Sequence, residues 1–133
     1  MKYPYQHVRC GDSIRYLPLV PVTLSSSGTS IRTLALVDSG AEDNVFRMDV
    51  AEQLGLNLTG ASEVVILGYD GQDAEAYRVM VSFELGNHQW DAPVIFSPAV
   101  AGRDLLGQIG FFAFFTVTFD YTGRTMNILR PRV

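Results

Sequence analysis

Residues 36–44, LVDSGAEDN, set a carboxylate, a hydroxyl and a glycine directly behind an apolar run. No other stretch offers a comparable reactive group. A carboxylate delivered by the end of a buried strand can take a proton from water or return one to a leaving group, which is general acid and base chemistry. The same residue types also make turns, because Asp and Ser side chains bond to neighbouring backbone and Gly adopts positive φ freely. Taken alone, Asp38-Ser39-Gly40 reads as an Asx-type turn, so its surroundings have to decide.

Other candidates are weaker. His7, His88 and the lone Cys10 show no metal-ligand spacing, and neither a metal nor an organic cofactor is implied. No serine has a supported histidine partner, which argues against a serine nucleophile. Phe111, Phe112, Phe114 and Phe115 read as core or dimer-contact aromatics, and Trp90 as packing.

The elements that must position Asp38 are short and mostly extended. LPLVPVTL at 17–24 reads as a strand whose two prolines place it near a sheet edge or force local irregularity. SSSGTS is a turn, and IRTLALV at 31–37 is a second strand running straight into Asp38. Beyond the loop, Asp49 with Glu52 looks like a helix start, Val50 and Leu54 share a face, and Gly55 stops it. Farther on, Tyr77, Val79, Val81 and Phe83 alternate with Arg78, Met80, Ser82 and Glu84, the pattern of a half-solvated strand. VVIL is its partner, with GYDGQ between them as a hairpin turn. After a turn at GNH, WDAPVIF is another strand, GRDLLGQIG carries a short helical turn, and FFTVTFDYTGRTMNIL closes the chain as a hairpin around Thr122 and Gly123. The reading is a mostly β domain with two short helical segments and no internal repeat or linker.

A chain of 133 residues makes one ordinary domain, and 47% hydrophobic with 18% charged residues excludes general disorder. The net charge of -4, with nine arginines and one lysine scattered along the chain, argues against nucleic acid as a partner, because phosphates need a clustered positive footprint. Apolar runs such as FFAFF at 111–115 fall far short of the roughly 18 residues of a membrane span, so no membrane partner is expected. MKYPYQHVRCGD lacks the apolar core of a secretory signal, and a single cysteine rules out an internal disulfide. A reducing, cytoplasmic location is the expectation.

Strand, Asp-Ser-Gly-Ala loop, glycine-bearing hairpin and Gly102-Arg103-Asp104 occur in one order. In that order the chain resembles the retropepsins, the retroviral-type aspartic proteases and their cellular and bacterial relatives. ALVDSGAEDNVF matches the family's catalytic loop through the acidic pair after the alanine. ILGYDGQ falls where the family carries its glycine-rich flap, and GRDLLGQIG looks like the segment before its late helix. The similarity spans roughly residues 17 to 128, and the three motifs together are far more specific than any one.

The resemblance implies a closed β-barrel of the acid protease fold with one or two short helices, a single domain over residues 1–133. Asp38 would be the catalytic carboxylate. Ser39 would hydrogen-bond at the base of the loop, Gly40 would permit the tight turn and substrate approach, and Ala41 would leave the floor uncrowded. Gly40, Ala41, Glu42 and Asp43 would contact substrate at the floor, and Gly68, Tyr69, Asp70 and Gly71 at the flap, around a polypeptide held extended by main-chain hydrogen bonds. Glu42 would pair with Arg103 and buttress the loop.

Such chemistry needs one ionised carboxyl to take a proton from water and one protonated carboxyl to polarise the peptide carbonyl. Asp-Ser-Gly occurs once; neither GDSI at 11–14 nor FDYTG at 119–123 repeats it. The second aspartate is therefore expected to be Asp38 of another copy, across a two-fold axis. Two carboxyls roughly 3 Å apart share one proton, so activity is expected to be bell-shaped on the acidic to near-neutral side. The expected function is an aspartic endopeptidase working as a homodimer without a cofactor, of cellular or bacterial type, to which the initial methionine points. The alternatives are a catalytically silent retropepsin-like dimerisation or peptide-binding module, and a generic β-barrel binding domain.

The first sixteen residues and the closing NILRPRV depart from the family pattern. Retropepsin dimers commonly interleave their chain ends in a shared sheet, and Pro131 lacks the donor such a ladder needs. The expectation is a dimer that is built differently, is weak, or forms only on substrate.

Overall fold

The computed structural model describes residues 1–67, 73–100 and 102–131. The chain opens with three strands that hydrophobic periodicity did not reveal: β1 (Lys2–Pro4), β2 (Gln6–Cys10) and β3 (Ser13–Leu17). Among the described residues β2 and β3 pair only with each other, and every residue from Arg9 to Arg15 is exposed, so this stretch has no buried face to leave an alternating pattern.

The body follows as β4 (Leu19–Ser26), β5 (Thr29–Val37), β6 (Asn44–Arg47), helix α1 (Met48–Gln53) and a 3₁₀ turn at Leu58–Gly60. Next come β7 (Ser62–Leu67), β8 (Asp73–Leu85), β9 (His88–Ser97) and β10 (Asp104–Leu106). A π-helical segment at Gln108–Phe112 leads to β11 (Thr116–Asp120) and β12 (Thr125–Leu129). In the order β4-β5-β10-β6-β9-β8, six strands form a ring that closes where Thr23, Leu24 and Ser25 of β4 meet Glu84, Phe83 and Ser82 of β8. Closure leaves none of the six with a free edge along the closing register, and β7 is carried outside on β8. Pro21 lies where β4 is flanked by β5 alone, since the β8 pairing begins at Thr23, so its missing donor breaks no second ladder.

Alternation along the strands fills the barrel. Val20, Val22 and Leu24 of β4 are buried between half-exposed Pro21, Thr23 and Ser25, and Val81 and Phe83 of β8 point in while Met80, Ser82 and Glu84 point out. Trp90 stacks on Phe83 at 5.3 Å and meets Phe115 edge-on at 4.7 Å; Phe111 and Phe115 stack at 4.9 Å. The phenylalanine-rich segment is thus core, with aromatic pairs each worth roughly 0.5–1.5 kcal/mol beyond area burial. α1 buries Val50 and Ala51, and Gly55 behind it takes φ of 70° and ends the helix where Gly was expected to.

Two segments differ from expectation. GRDLLGQIG is a strand before it is a helix: Asp104 and Leu106 are buried around half-exposed Leu105, a period of two, and helical turns begin only at Gln108. The chain ends also close on each other within one copy. β12 lies between β1 and β11, with Lys2, Tyr3 and Pro4 opposite Asn127, Met126 and Thr125. The Met1 amine donates to Ile128 O at 2.9 Å, and Ile128 N to Met1 O at 2.7 Å. β12 stops at Leu129, ahead of Pro131. Among the described residues, no helix is long and apolar enough to cross a membrane.

Candidate active site

Asp38 stands at the end of β5, half-buried, with Ser39 and Gly40 exposed beyond it. Its backbone is pinned on both sides: Val37 N donates to Pro18 O at 3.0 Å, and Asp38 N to Leu106 O at 3.0 Å. Gly40 N donates to Asp38 Oδ1 at 2.9 Å and Ala41 N to Asp38 O at 3.2 Å. The Asx turn and the presented carboxylate are therefore the same object. Oδ1 is held by a backbone donor, and Oδ2 has no protein partner among the described residues. A Cβ on Gly40 would stand 3.2 Å from Oδ1, tight against the oxygen that the turn holds.

Behind this loop sits the π-helical segment. Gln108 N donates to Ala41 O and Ile109 N to Glu42 O, both at 2.8 Å, and Gln108 Nε2 donates to Ser39 O at 2.7 Å. Ser39, Ala41 and Glu42 of the loop are thereby anchored from one element. Asn44, fully buried, accepts from Gly107 N at 2.9 Å through Oδ1. Its Nδ2 has no hydrogen-bond partner among the described residues and lies where a Cβ on Gly110 would collide. Gly110 O in turn accepts from Trp90 Nε1 at 2.9 Å, tying the support to the core.

None of Asn44, Gly107 or Gln108 was picked out from the sequence. A glycine interrupting an apolar strand marks close backbone approach, and that signal at Gly107 was available. A Cβ there would clash with Asp43 O and stand 2.7 Å from Ala41 O. Gly107→Ala is expected to cost about 1–3 kcal/mol, because backbone rather than a flexible side chain has to move, and to lower peptide hydrolysis by shifting the floor. Thermal denaturation checks the first part; an unchanged melting temperature would mean that residues 41–43 yield freely.

Among the described residues, no ion pair joins Glu42 to Arg103. Asp104, only 1% exposed, takes the buttressing position: it accepts from Arg47 Nε at 3.1 Å, Arg47 Nη2 at 3.2 Å, Arg47 N at 2.9 Å and Thr33 Oγ1 at 2.8 Å. Strand geometry explains the exchange, since neighbouring side chains point to opposite faces and the one turned inward from β10 is Asp104. The hydrogen bonds to Asp104, with its charge, raise the Arg47 guanidinium pKa above its ordinary value. Asp43 pairs with Arg78 of β8 at 3.5 Å, and Glu42 is exposed. Among the described residues, no three His, Cys, Asp or Glu side chains gather as metal ligands.

The structure thus brings Asp38, Ser39, Gly40, Ala41, Glu42 and Asp43 into one loop at the end of the barrel. Gly68, Tyr69, Asp70 and Gly71, expected at the flap, lie outside the described residues; the strands leading to them pair from Ser62 opposite Arg78 to Leu67 opposite Asp73.

Comparison with known proteins agrees with this arrangement. A family model described as "Aspartyl protease" matches residues 20–110, from β4 into the π-helical segment, and so contains the whole loop together with Gly107 and Gln108 behind it. Among solved structures, EIAV protease complexed with the inhibitor HBY-793 superposes with a TM-score of 0.53 at 16% identity, covering 69% of this chain and 82% of that one. A comparison with curated protein sequences found no match. At that identity the structural likeness speaks to the fold, and the family model speaks to descent. With the Asp-Ser-Gly loop at the mouth of a six-stranded ring, this chain belongs to the aspartyl protease family and has the retropepsin-like fold.

Proposed function

We propose that the protein is an aspartic endopeptidase, active as a homodimer in which Asp38 of each copy supplies half of the catalytic pair. The observation that carries this reading is the state of Asp38: its loop is pinned by backbone hydrogen bonds while Oδ2 has no protein partner among the described residues. Such preorganisation means that little has to rearrange as charge develops during reaction. The chain supplies one such carboxylate and the chemistry calls for two, which supports assembly of two copies.

In the proposed reaction the ionised Asp38 takes a proton from a water molecule whose oxygen attacks the scissile carbonyl carbon. The protonated Asp38 of the other copy gives its proton to the carbonyl oxygen. A tetrahedral diol results. Collapse of the diol breaks the C–N bond, with a proton passed to the departing amine and the other restored to the carboxyl pair, so no covalent enzyme intermediate forms. Ser39, Gly40 and Ala41 hold the geometry. The substrate would lie extended over Gly40 to Asp43, with Gly68 to Gly71 above it, bound through main-chain hydrogen bonds.

Sedimentation velocity with and without a peptide mimic of the tetrahedral state is expected to show a two-copy species. Hydrolysis of an unstructured peptide should follow a bell-shaped pH profile on the acidic to near-neutral side. Strictly monomeric material with the mimic bound, or a rate that stays flat into alkaline pH, contradicts the shared pair.

A further inference from the structure

We propose that the β2–β3 hairpin, residues Gln6–Leu17, is an arm that each copy lays against the other, so that two reciprocal arms clasp the active dimer. This rests on the homodimer proposed above, and it concerns a part of the chain outside residues 20–110, to which the family model applies.

The root of the arm places it. β3 passes through Pro18 into β4, and Pro18 O accepts from Val37 N at 3.0 Å, one residue before Asp38. Leu19 stands opposite Leu36, and β4 runs away from the Asp38 end of β5, so the strand feeding β4 enters from that same end. At the other root, Tyr5 N donates to Arg124 O at 2.8 Å, and the Arg124 guanidinium lies 3.9 Å above the Tyr16 ring and 4.5 Å above that of Tyr121. Five residues of strand at about 3.3 Å each carry the arm's tip roughly 15 Å beyond these roots. If two Asp38 carboxyls meet, an element rooted one residue from them stands beside the second copy.

Its composition fits that occupant. A lone two-stranded hairpin is marginally stable in water, and among the described residues these strands pair only with each other. Ile14 is 56% exposed beside Arg9, its cross-strand partner. Within the arm, Arg9 and Arg15 stand against the single anion Asp12, leaving eight cations and thirteen anions in the rest of the chain, a net of -5. A positive arm and a negative body are complementary between copies.

Cys10, exposed at the arm's turn and the only cysteine, provides the test. Isotope-labelled and unlabelled protein are mixed, Cys10 is alkylated with a benzophenone maleimide, and crosslinks are mapped by mass spectrometry after irradiation. Crosslinks from labelled arm to unlabelled body are expected. Ile14→Asp, and separately Arg9→Glu with Arg15→Glu, should raise the dimer dissociation constant at least about tenfold in sedimentation with the circular dichroism spectrum unchanged. If a dimer sediments but the crosslinks stay within one chain or fall on added peptide substrate, or if both variants leave the dimer constant unaltered, the arm is overturned and the homodimer stands. A protein that never dimerises overturns both.

Discussion

Asp38→Asn is expected to lower peptide hydrolysis by at least about a thousandfold, the scale of losing general acid and base catalysis, while stability stays within about 1 kcal/mol of the parent. The substitution is close to isosteric. The Asn Oδ1 still accepts from Gly40 N, the one donor to the Asp38 side chain among the described residues, so the turn survives. What is lost is the ability to take and return a proton. Mixing sharpens the test, because in a homodimer with one shared pair a single Asn subunit silences the whole unit. When parent and variant subunits exchange freely, activity should fall as the square of the parent fraction; a self-sufficient chain would give a straight line. Hydrolysis that survives the substitution removes Asp38 from the chemistry. Retained peptide affinity and dimerisation in a parent protein that cleaves nothing would instead identify a silent binding module.

The second large effect lies behind the loop. Asp104→Ala is expected to destabilise the protein by about 2–3 kcal/mol, roughly 8–12 °C in melting temperature for a domain of this size. The carboxylate is 1% exposed and joins Thr33 of β5 to Arg47 of β6 from its place in β10. Removing it strands the Thr33 hydroxyl and the Arg47 backbone N–H together with the guanidinium. Arg47 is 38% exposed, so water can recover part of its solvation, which keeps the cost at or below the lower end for a broken buried pair. Arg103→Ala and Glu42→Ala should each change stability by no more than about 0.5 kcal/mol, the ordinary range for side chains that, like these two, make no ion pair among the described residues. Differential scanning calorimetry of the three variants decides it. An Arg103 variant as damaged as the Asp104 one would return the buttress to the pair anticipated from sequence.

That exchange of partners marks where reading from residues stops. The strand into Asp38, the turn after it, the helix ended by Gly55, the alternation of Tyr77 to Glu84 and the closing hairpin were all legible, because each is written in spacings of two to four residues that local geometry converts directly into structure. β1 to β3 were not, since strands this short and largely exposed leave little periodic trace. Gly107 could be read only as a point of close backbone approach, and Asn44 not at all, because their partners lie 63 or more residues away in the chain.

The sequence by itself determined that one reactive carboxylate stands on a glycine turn at the end of an apolar strand, and that the motif occurs once in these 133 residues. Tertiary structure alone decided that β4 closes onto β8, that the chain ends pair within one copy, and that Asp104 rather than Arg103 turns inward to hold the strands around the loop. Turn and strand preferences act between neighbours along the chain. Ring closure and the choice of ion partner depend on register and facing, which are set only when distant strands come together.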